Sequence, residues 1–141
     1  NCTNGTHSLD ALGAAGADHL SGKTLIDVAN ILSAGAAPSQ SLAEQIQSAF
    51  PGARVVKTLN TVNADVMVDP SRVPAPHSVF LCGNDGAAKG TTRQLLESFG
   101  WSDLIDLGDI TGARGMEAYV TLWVSLYKKL GTPHFNIHVS R

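Results

Sequence analysis

Apolar residues occur along the chain in short runs separated by polar or small residues. In the run 54–59, Val55, Val56 and Leu59 are apolar and Thr58 is β-branched, a composition typical of a short strand. Similar runs and helical spacings alternate over the rest of the chain and predict strands at 23–29, 78–82 and 104–107 and helices at 41–50, 87–99 and 111–130. This alternation predicts an α/β protein in which helices flank a parallel sheet.

A helix whose start is marked in the sequence connects the predicted strands 23–29 and 54–59. Ser41 and Glu44 have the spacing of a capping box, in which each side chain bonds the backbone of the other residue. The helix joins the strands at 23–29 and 54–59 into a strand–helix–strand unit, which is typical of a right-handed crossover between parallel strands. The small, Pro-containing residues 31–40 before this helix predict a loop.

The last third of the chain is predicted to form a long helix followed by a strand. Five apolar residues on the helix are spaced by 3, 4, 3 and 4 positions and make one stripe: Met116, Tyr119, Trp123, Leu126 and Leu130. The stripe indicates a core face or a subunit contact, and stacking on a cofactor is the alternative. The tail 134–141 alternates apolar and polar residues, which predicts a half-buried strand.

Composition and charge narrow the classes of function. The 141 residues suffice for one domain with a core, and we predict a single domain over 1–141. A net charge of -2 without a basic run argues against a nucleic-acid partner. No apolar stretch has the length of a membrane span, which argues against a membrane partner. Cys2 and Cys82 form no metal-ligand cluster, so we expect no metal and two reduced, unbridged thiols in a cytoplasmic protein.

Polar side chains follow two of the predicted strands at the point where each strand ends. Asn30 follows the first strand, and Asn60 and Thr61 follow the second. Ligands of open parallel sheets bind just beyond the carboxyl ends of the strands, so these residues are candidate ligand contacts. The alternative is that Asn60 and Thr61 only cap the short helix that begins near Asn63.

Common catalytic and nucleotide-binding motifs do not occur in the sequence. The turns after the strands contain neither a G-x-G-x-x-G nor a Walker pattern, and the Gly-Asn-Asp-Gly run at 83–86 is typical of a plain turn. The five histidines fall in predicted loops and in the tail, so no Ser/His/Asp or Cys/His arrangement can be assigned.

Several separated segments nevertheless resemble one enzyme family. LAEQIQSAFPGARVVKTLNTVNADVM, VFLCGNDGAAKG, GWSDLIDLGDITGARGMEAY and FNIHV are similar to the NADP oxidoreductases that use the deazaflavin coenzyme F-420. More distantly, the flavin- and NADPH-binding cytoplasmic domains of membrane ferric reductases share the pattern. The resemblance covers nearly the whole chain in the same order. NCTNG resembles the segment after the fourth strand of the family's Rossmann domain, KTLIDVAN its fifth strand and RVVKTLNT its sixth.

The resemblance implies a hydride-transfer enzyme whose cofactors are NADP and the deazaflavin F-420 or a flavin. Hydride passes directly between the nicotinamide and the second ring, so no protein acid or base is required. By the same resemblance, Asn60 and Thr61 lie where the two rings meet and are the catalytic candidates. The cofactor-binding candidates border the nicotinamide, the cleft and the second ring, and they are Cys2, Thr3, Ala29, Asn30, Val62, Phe135, Asn136 and Ile137.

The family's Gly-rich dinucleotide fingerprint lies in a βαβ half that precedes the segments matched here. We therefore expect the chain to be the C-terminal two-thirds of a Rossmann-like domain, without that half. One alternative is a truncated, non-catalytic module that binds a nucleotide, and another is an interaction module that uses the helix stripe. We also expect a homo-oligomer such as a dimer, because the stripe is too apolar to face water. The choice between NAD and NADP stays open.

Overall fold

The computed structural model describes residues 1–31 and 39–141, and in these ranges helices pack on both faces of a four-stranded sheet. The strands are β1 (Thr24–Asp27), β2 (Arg54–Thr58), β3 (Val79–Gly83) and β4 (Leu104–Asp106). The α-helices are α1 (Ser8–Ala15), α2 (Ala17–Leu20), α3 (Leu42–Ala49), α4 (Ala64–Val68), α5 (Gly86–Ser98) and α6 (Ala113–Leu130). Short 3-10 helices lie at Gly5–His7, Pro70–Arg72 and Ile110–Gly112. The predicted α/β class is confirmed, whereas most of the loop predicted at 31–40 lies outside the described residues.

The strand–helix–strand unit forms as predicted. β1 and β2 are parallel neighbours, with Thr24 opposite Arg54. Helix α3, which lies between them in the chain, begins with the expected capping box. The Ser41 hydroxyl accepts the Glu44 N–H at 3.2 Å, and the Glu44 carboxylate accepts the Ser41 N–H at 2.8 Å. Two orphan N–H groups at the helix start are thereby satisfied.

The sheet is mixed rather than wholly parallel, which corrects the predicted topology. The strand order is β1-β2-β3-β4, and β3 runs antiparallel to β2, with Thr58 opposite Leu81. The physical reason is the connection 59–78, which contains only the five-residue α4 and a Pro-rich turn. Antiparallel neighbours need no crossover helix, so β3 begins at the end of the sheet where β2 finishes. The Gly-Asn-Asp-Gly turn after β3 therefore lies at the opposite end, where β2 begins and where the Asp85 carboxylate is 3.6 Å from the Arg54 guanidinium.

The two faces of the sheet bury separate groups of side chains. Val55 and Cys82 pack under α1, α3 and α6, whereas Val56 and Leu81 pack under α5. Cys82 is fully buried and Cys2 is exposed, and both are free thiols, as predicted. Burial raises the pKa of the Cys82 thiol to about 12, so this thiol stays protonated in the core.

The C-terminal tail is not the predicted strand. Residues 132–141 follow α6 without forming a strand ladder. Side chains hold the tail instead: the Asn136 amide donates to the Ser78 carbonyl at 2.8 Å, and the Asn136 side-chain oxygen accepts the Ile137 N–H at 2.8 Å. The Ser78 N–H donates to the Ile137 carbonyl at 2.9 Å. Backbone pairing is confined to Ser78, just before β3 begins, and one residue cannot build a strand.

Candidate functional site

β2 leaves the sheet through a tight turn at Leu59. Leu59 is buried and has a φ of 60°, and the Asn60 N–H donates to the Thr58 carbonyl at 2.8 Å across it. A non-glycine residue in this left-handed region costs on the order of 1–3 kcal/mol, and such strain concentrates at ligand sites. The turn directs Asn60 and Thr61 into the interior, where they are 4% and 2% exposed.

Asn60 joins the ends of the two parallel strands to the long helix. Its amide nitrogen donates to the Asn30 side-chain oxygen at 2.9 Å and to the Met116 carbonyl at 3.0 Å. The Asn30 amide donates in return to the Asn60 carbonyl at 2.8 Å. Asn30 and Asn60, which the sequence placed at the ends of neighbouring strands, therefore meet as a reciprocal pair against α6.

Asn63, rather than Asn60 or Thr61, caps the following helix. The Asn63 side-chain oxygen accepts the Asp65 N–H at 3.0 Å at the start of α4. The alternative in which Asn60 and Thr61 serve only as caps is therefore wrong. Within the part of the chain that the structure describes, Asn60 Oδ1 and Thr61 Oγ1 are buried without a hydrogen-bond partner. Buried polar atoms are nearly always paired, so two adjacent exceptions mark a place where a partner beyond the described residues is expected.

An apolar cavity of about 210 Å³ opens beside Thr61. Its lining comes from β3, α6, the tail and the loops after β2 and β4: Thr61, Phe80, Leu107, Gly115, Met116, Tyr119 and Ile137. The Tyr119 hydroxyl is also buried without a partner among the described residues, and burial raises its pKa. Mostly apolar walls with a few polar groups are the usual form of a ligand pocket.

Lys57 is the functional candidate that sequence reasoning missed. Its side chain is fully buried, and its Nζ lies 2.8 Å from Asp27 Oδ2 and 3.1 Å from Glu117 Oε1. The same ammonium group donates to the Ala29 carbonyl. The available signal was a lysine inside an otherwise apolar strand, but a lysine side chain in a strand usually reaches solvent with its charged end. The partners come from β1 and α6, which the sequence does not place side by side.

The structure brings only some of the predicted residues to this place. Ala29, Asn30, Asn60 and Thr61 cluster beyond the ends of β1 and β2, and Ile137 reaches the cavity from the tail. The other predicted contacts are not among the residues that line the cavity.

Val62 is buried in the cluster that contains Val66 and Trp101. Phe135 stacks on Trp123, with ring centroids 5.2 Å apart, and the Asn136 amide is occupied in holding the tail. Cys2 and Thr3 are exposed on the N-terminal segment, where the Thr3 hydroxyl donates to the Asn1 side chain at 2.7 Å and also lies 2.9 Å from the Ser8 hydroxyl. These residues remain predicted contacts.

The described ranges hold neither a metal-ligand cluster nor a helix that could span a membrane. No group of three or more His, Cys, Asp or Glu residues there could hold a metal ion. None of the helices in the same ranges is long and apolar enough to cross a membrane.

The fold and the site define a Rossmann-like α/β protein with a candidate ligand site beyond the carboxyl ends of two parallel strands. No family model matches the chain. A solved structure from Arthrobacter sp. FB24, provisionally described as an F-420-dependent NADP reductase, superposes with a TM-score of 0.95 and 49% identity. The match covers 100% of this chain and 68% of that one. The chain therefore belongs to the F-420-dependent NADP reductase family.

Curated relatives support the same family. The F420-dependent NADP reductase of Methanocaldococcus jannaschii is 31% identical over 98 residues, which are 67% of this chain and 44% of that protein. Metalloreductase STEAP3 of Rattus norvegicus is 35% identical over 103 residues, 72% of this chain and 21% of that protein. The chain thus spans less than half the length of these two relatives. The resemblance found in the sequence, including its extension to metal reductases, is confirmed.

Proposed function

We propose that the protein transfers hydride between NADPH and the deazaflavin coenzyme F-420, with a flavin as the alternative acceptor, and that this chain forms one wall of the ring-binding cleft. The observation that carries the proposal is an adjacent pair of buried oxygen atoms, Asn60 Oδ1 and Thr61 Oγ1, which have no hydrogen-bond partner among the described residues and lie beyond the ends of β1 and β2. The names of the reductases that the chain is similar to supply the reaction class.

The chemistry of these atoms suits the edge of a cofactor ring. An amide oxygen accepts hydrogen bonds, and a threonine hydroxyl can both donate and accept them. Nicotinamide carries a carboxamide and a deazaflavin carries ring N–H and C=O groups, so either ring offers matching partners. The cavity of about 210 Å³ beside Thr61 is smaller than a typical whole-ligand pocket, so it suits part of a ring rather than a complete coenzyme.

The chain's own residues would orient the rings and exclude water. When bound, the two cofactors supply the hydride donor and acceptor, so no protein acid or base is needed. Asn30 and the Met116 carbonyl hold the Asn60 amide, which leaves its oxygen free for a ring edge. Phe80 and Met116 give the cavity apolar walls, which keep water from a hydride-transfer site.

We also propose that the protein self-associates through the outer part of α6. Leu122, Tyr127 and Leu130 are 54%, 43% and 53% exposed, which is unusual for large apolar side chains on one helix. Trp123 stacks on both Tyr127 and Phe135, with ring centroids 5.5 and 5.2 Å apart, so the same surface is aromatic. Aromatic residues are enriched at protein interfaces.

Absorbance measurements on the purified protein, joined to a Gly-rich βαβ half of the kind that the family carries, test the proposed reaction. With NADPH and F-420 together, the near-ultraviolet absorbance of NADPH and the visible absorbance of oxidised F-420 should fall in equal molar amounts. Parallel reactions with NADH, and with FMN in place of F-420, identify the preferred donor and acceptor. If thermal shifts report binding of both cofactors but neither absorbance changes, the protein is a binding module and the proposed reaction is wrong.

A further inference from the structure

Lys57 and Asn60 contact the same two segments of the chain, 29–30 and 116–117. Lys57 Nζ bonds the Ala29 carbonyl and lies 3.1 Å from the Glu117 carboxylate. The Asn60 amide bonds the next residue after Ala29, which is Asn30, and the residue before Glu117, which is Met116. Each partner of Asn60 is therefore the sequence neighbour of a partner of Lys57.

The buried charges around Lys57 are fully paired. The ammonium group donates hydrogen bonds to Asp27 and to the Ala29 carbonyl, and it forms an ion pair with Glu117 at 3.1 Å. The second Asp27 oxygen accepts the Ala29 N–H at 3.2 Å and the Asn1 side-chain amide at 2.8 Å. The bonds from Asp27 and Lys57 to the Ala29 backbone therefore hold the turn between β1 and Asn30 on its buried side.

Glu117 extends the cluster to another helix. Its carboxylate accepts the N–H groups of Leu42 and Ala43, at 2.8 and 3.2 Å, at the start of α3. Lys57 thus connects β2 with β1 through Asp27 and with α6 and α3 through Glu117.

Stability alone is a poor explanation for this cluster. Removing a lysine and a carboxylate from water carries a large desolvation cost for each ion, and apolar residues of similar volume often stabilise a core at least as well. A buried ion cluster therefore suggests a role in fixing geometry. Here the geometry that it fixes is that of the two segments that hold Asn60.

We infer that Lys57 is a positioning residue that fixes the segments carrying Asn30 and Met116, so that the Asn60 side chain keeps the single orientation required at the ring site. The catalytic consequence of this inference rests on the proposed function, whereas its structural content does not. The Asn60 amide of the parent protein should be strongly protected from hydrogen exchange, because its nitrogen donates to two acceptors inside the fold, the buried Met116 carbonyl and the half-buried Asn30 side chain.

Side-chain amide exchange measured by NMR tests the inference, with the Asn60 signal assigned from its loss in Asn60→Asp. In Lys57→Met, Asn60 exchange should become faster by about tenfold relative to the backbone amides of β3, the equivalent of one lost hydrogen bond. The kcat/KM for F-420 should fall by a similar factor. Lys89→Met is the matched control, because Lys89 also bridges a carboxylate, Asp106, and a carbonyl, Gly108, and lies away from Asn60. In Lys89→Met, the exchange rate of the Asn60 side-chain amide should equal that of the parent.

A second variant keeps the test decisive where the first fails to fold. Lys57→Met leaves the carboxylates of Asp27 and Glu117 without their cation, whereas Lys57→Met combined with Asp27→Asn and Glu117→Gln removes all three charges at smaller cost. The inference is overturned if Asn60 is unprotected in the parent, or if its exchange rises no more than that of the β3 amides in the folded variant. Lys57-dependent protection in a protein without turnover would overturn only the proposed reaction.

Discussion

Thr58 and Thr61 are both buried at the exit of β2, but only one of their hydroxyl groups is satisfied by the fold. Thr58 Oγ1 donates to the Phe80 carbonyl at 2.7 Å, whereas Thr61 Oγ1 has no partner within the described residues. The same isosteric change should therefore have opposite effects on stability at the two positions.

Thr61→Val should raise the free energy of unfolding by about 1 kcal/mol, because it removes an unpaired buried hydroxyl without changing the shape. The same variant should lower kcat/KM for F-420 roughly threefold to tenfold, because a ring hydrogen bond is lost. Thr58→Val, the control, should destabilise the fold by about 1 kcal/mol. Chemical denaturation and the absorbance assay measure both effects.

Asn60→Leu should reduce the rate more than Thr61→Val, because it removes the amide oxygen and adds bulk at the cleft. It should also lower the free energy of unfolding by about 1–3 kcal/mol, since the Met116 carbonyl and the Asn30 oxygen lose their donor. Parental rates in both Asn60→Leu and Thr61→Val would show that these residues do not contact a ring.

Asn136→Ala should release the tail from the body of the protein. The Asn136 amide nitrogen lies 2.8 Å from the Ser78 carbonyl and 2.9 Å from a nitrogen of the His77 ring. Limited proteolysis should cleave the tail faster, and Trp123 emission should shift to the red as Phe135 leaves its ring. Ser140→Ala, an exposed change in the same tail, should behave like the parent. Equal cleavage of Asn136→Ala and the parent would mean that other contacts hold the tail.

The Glu44–Arg114 pair should make stability depend on pH. Hydrogen bonds from Arg114 lower the Glu44 pKa from 4.5 to about 2, although burial opposes the shift. A carboxylate with a lowered pKa in the folded state stabilises the protein above its unfolded pKa, and this contribution is lost as the pH falls through about 2.

Glu44→Gln keeps the capping geometry but loses this charge. At neutral pH the loss of unfolding free energy should be on the order of 1 kcal/mol, because Arg114 is largely exposed and water screens the pair. In urea titrations the difference from the parent should shrink steadily as the pH is lowered below 4.5, the ordinary glutamate pKa. A difference that does not change with pH would contradict the assignment.

Light scattering tests self-association through α6. The parent should show a mass of about twice the 14.7 kDa of one chain at micromolar concentration, because Leu122 and Leu130 would be buried between two copies. Leu122→Lys combined with Leu130→Lys should give the mass of one chain. Val68→Lys, which changes an equally exposed apolar residue on α4, should keep the parental mass. A monomeric parent would contradict the proposed interface.

Local signals in the sequence were sufficient for most of the framework. The capping box of Ser41 and Glu44 depends on a fixed spacing, and the structure contains both of its hydrogen bonds. The apolar runs that predict β2 and β3 depend on burial, which any neighbouring layer can supply. The antiparallel direction of β3 was not predicted, because the residues of the strand suit either direction. The direction follows from the connection 59–78, which has no helix long enough for a crossover to a parallel neighbour.

The site was predictable only in part for a similar reason. Asn30 and Asn60 were placed together because the carboxyl ends of parallel neighbours meet at one edge of a sheet. Lys57 was missed because a lysine in a strand usually reaches solvent with its charged end, and because Glu117 lies on α6, which the sequence does not place beside β2. The tail alternates like a strand, but alternation does not supply the backbone partners that a strand needs.

The positive φ of Leu59 decides on which side of β2 the Asn60 side chain lies. Successive side chains of a regular strand alternate between the two faces, so residues three positions apart point in opposite directions. Lys57 and Asn60 are three apart, yet both contact the 29–30 and 116–117 segments. The turn at Leu59 thus converts an odd spacing into a same-side pair. A β-branched residue at 59 disfavours positive φ, so it would favour the regular alternation of a strand. In that conformation the Asn60 side chain would point away from Asn30 and Met116, although no residue of the site had been changed.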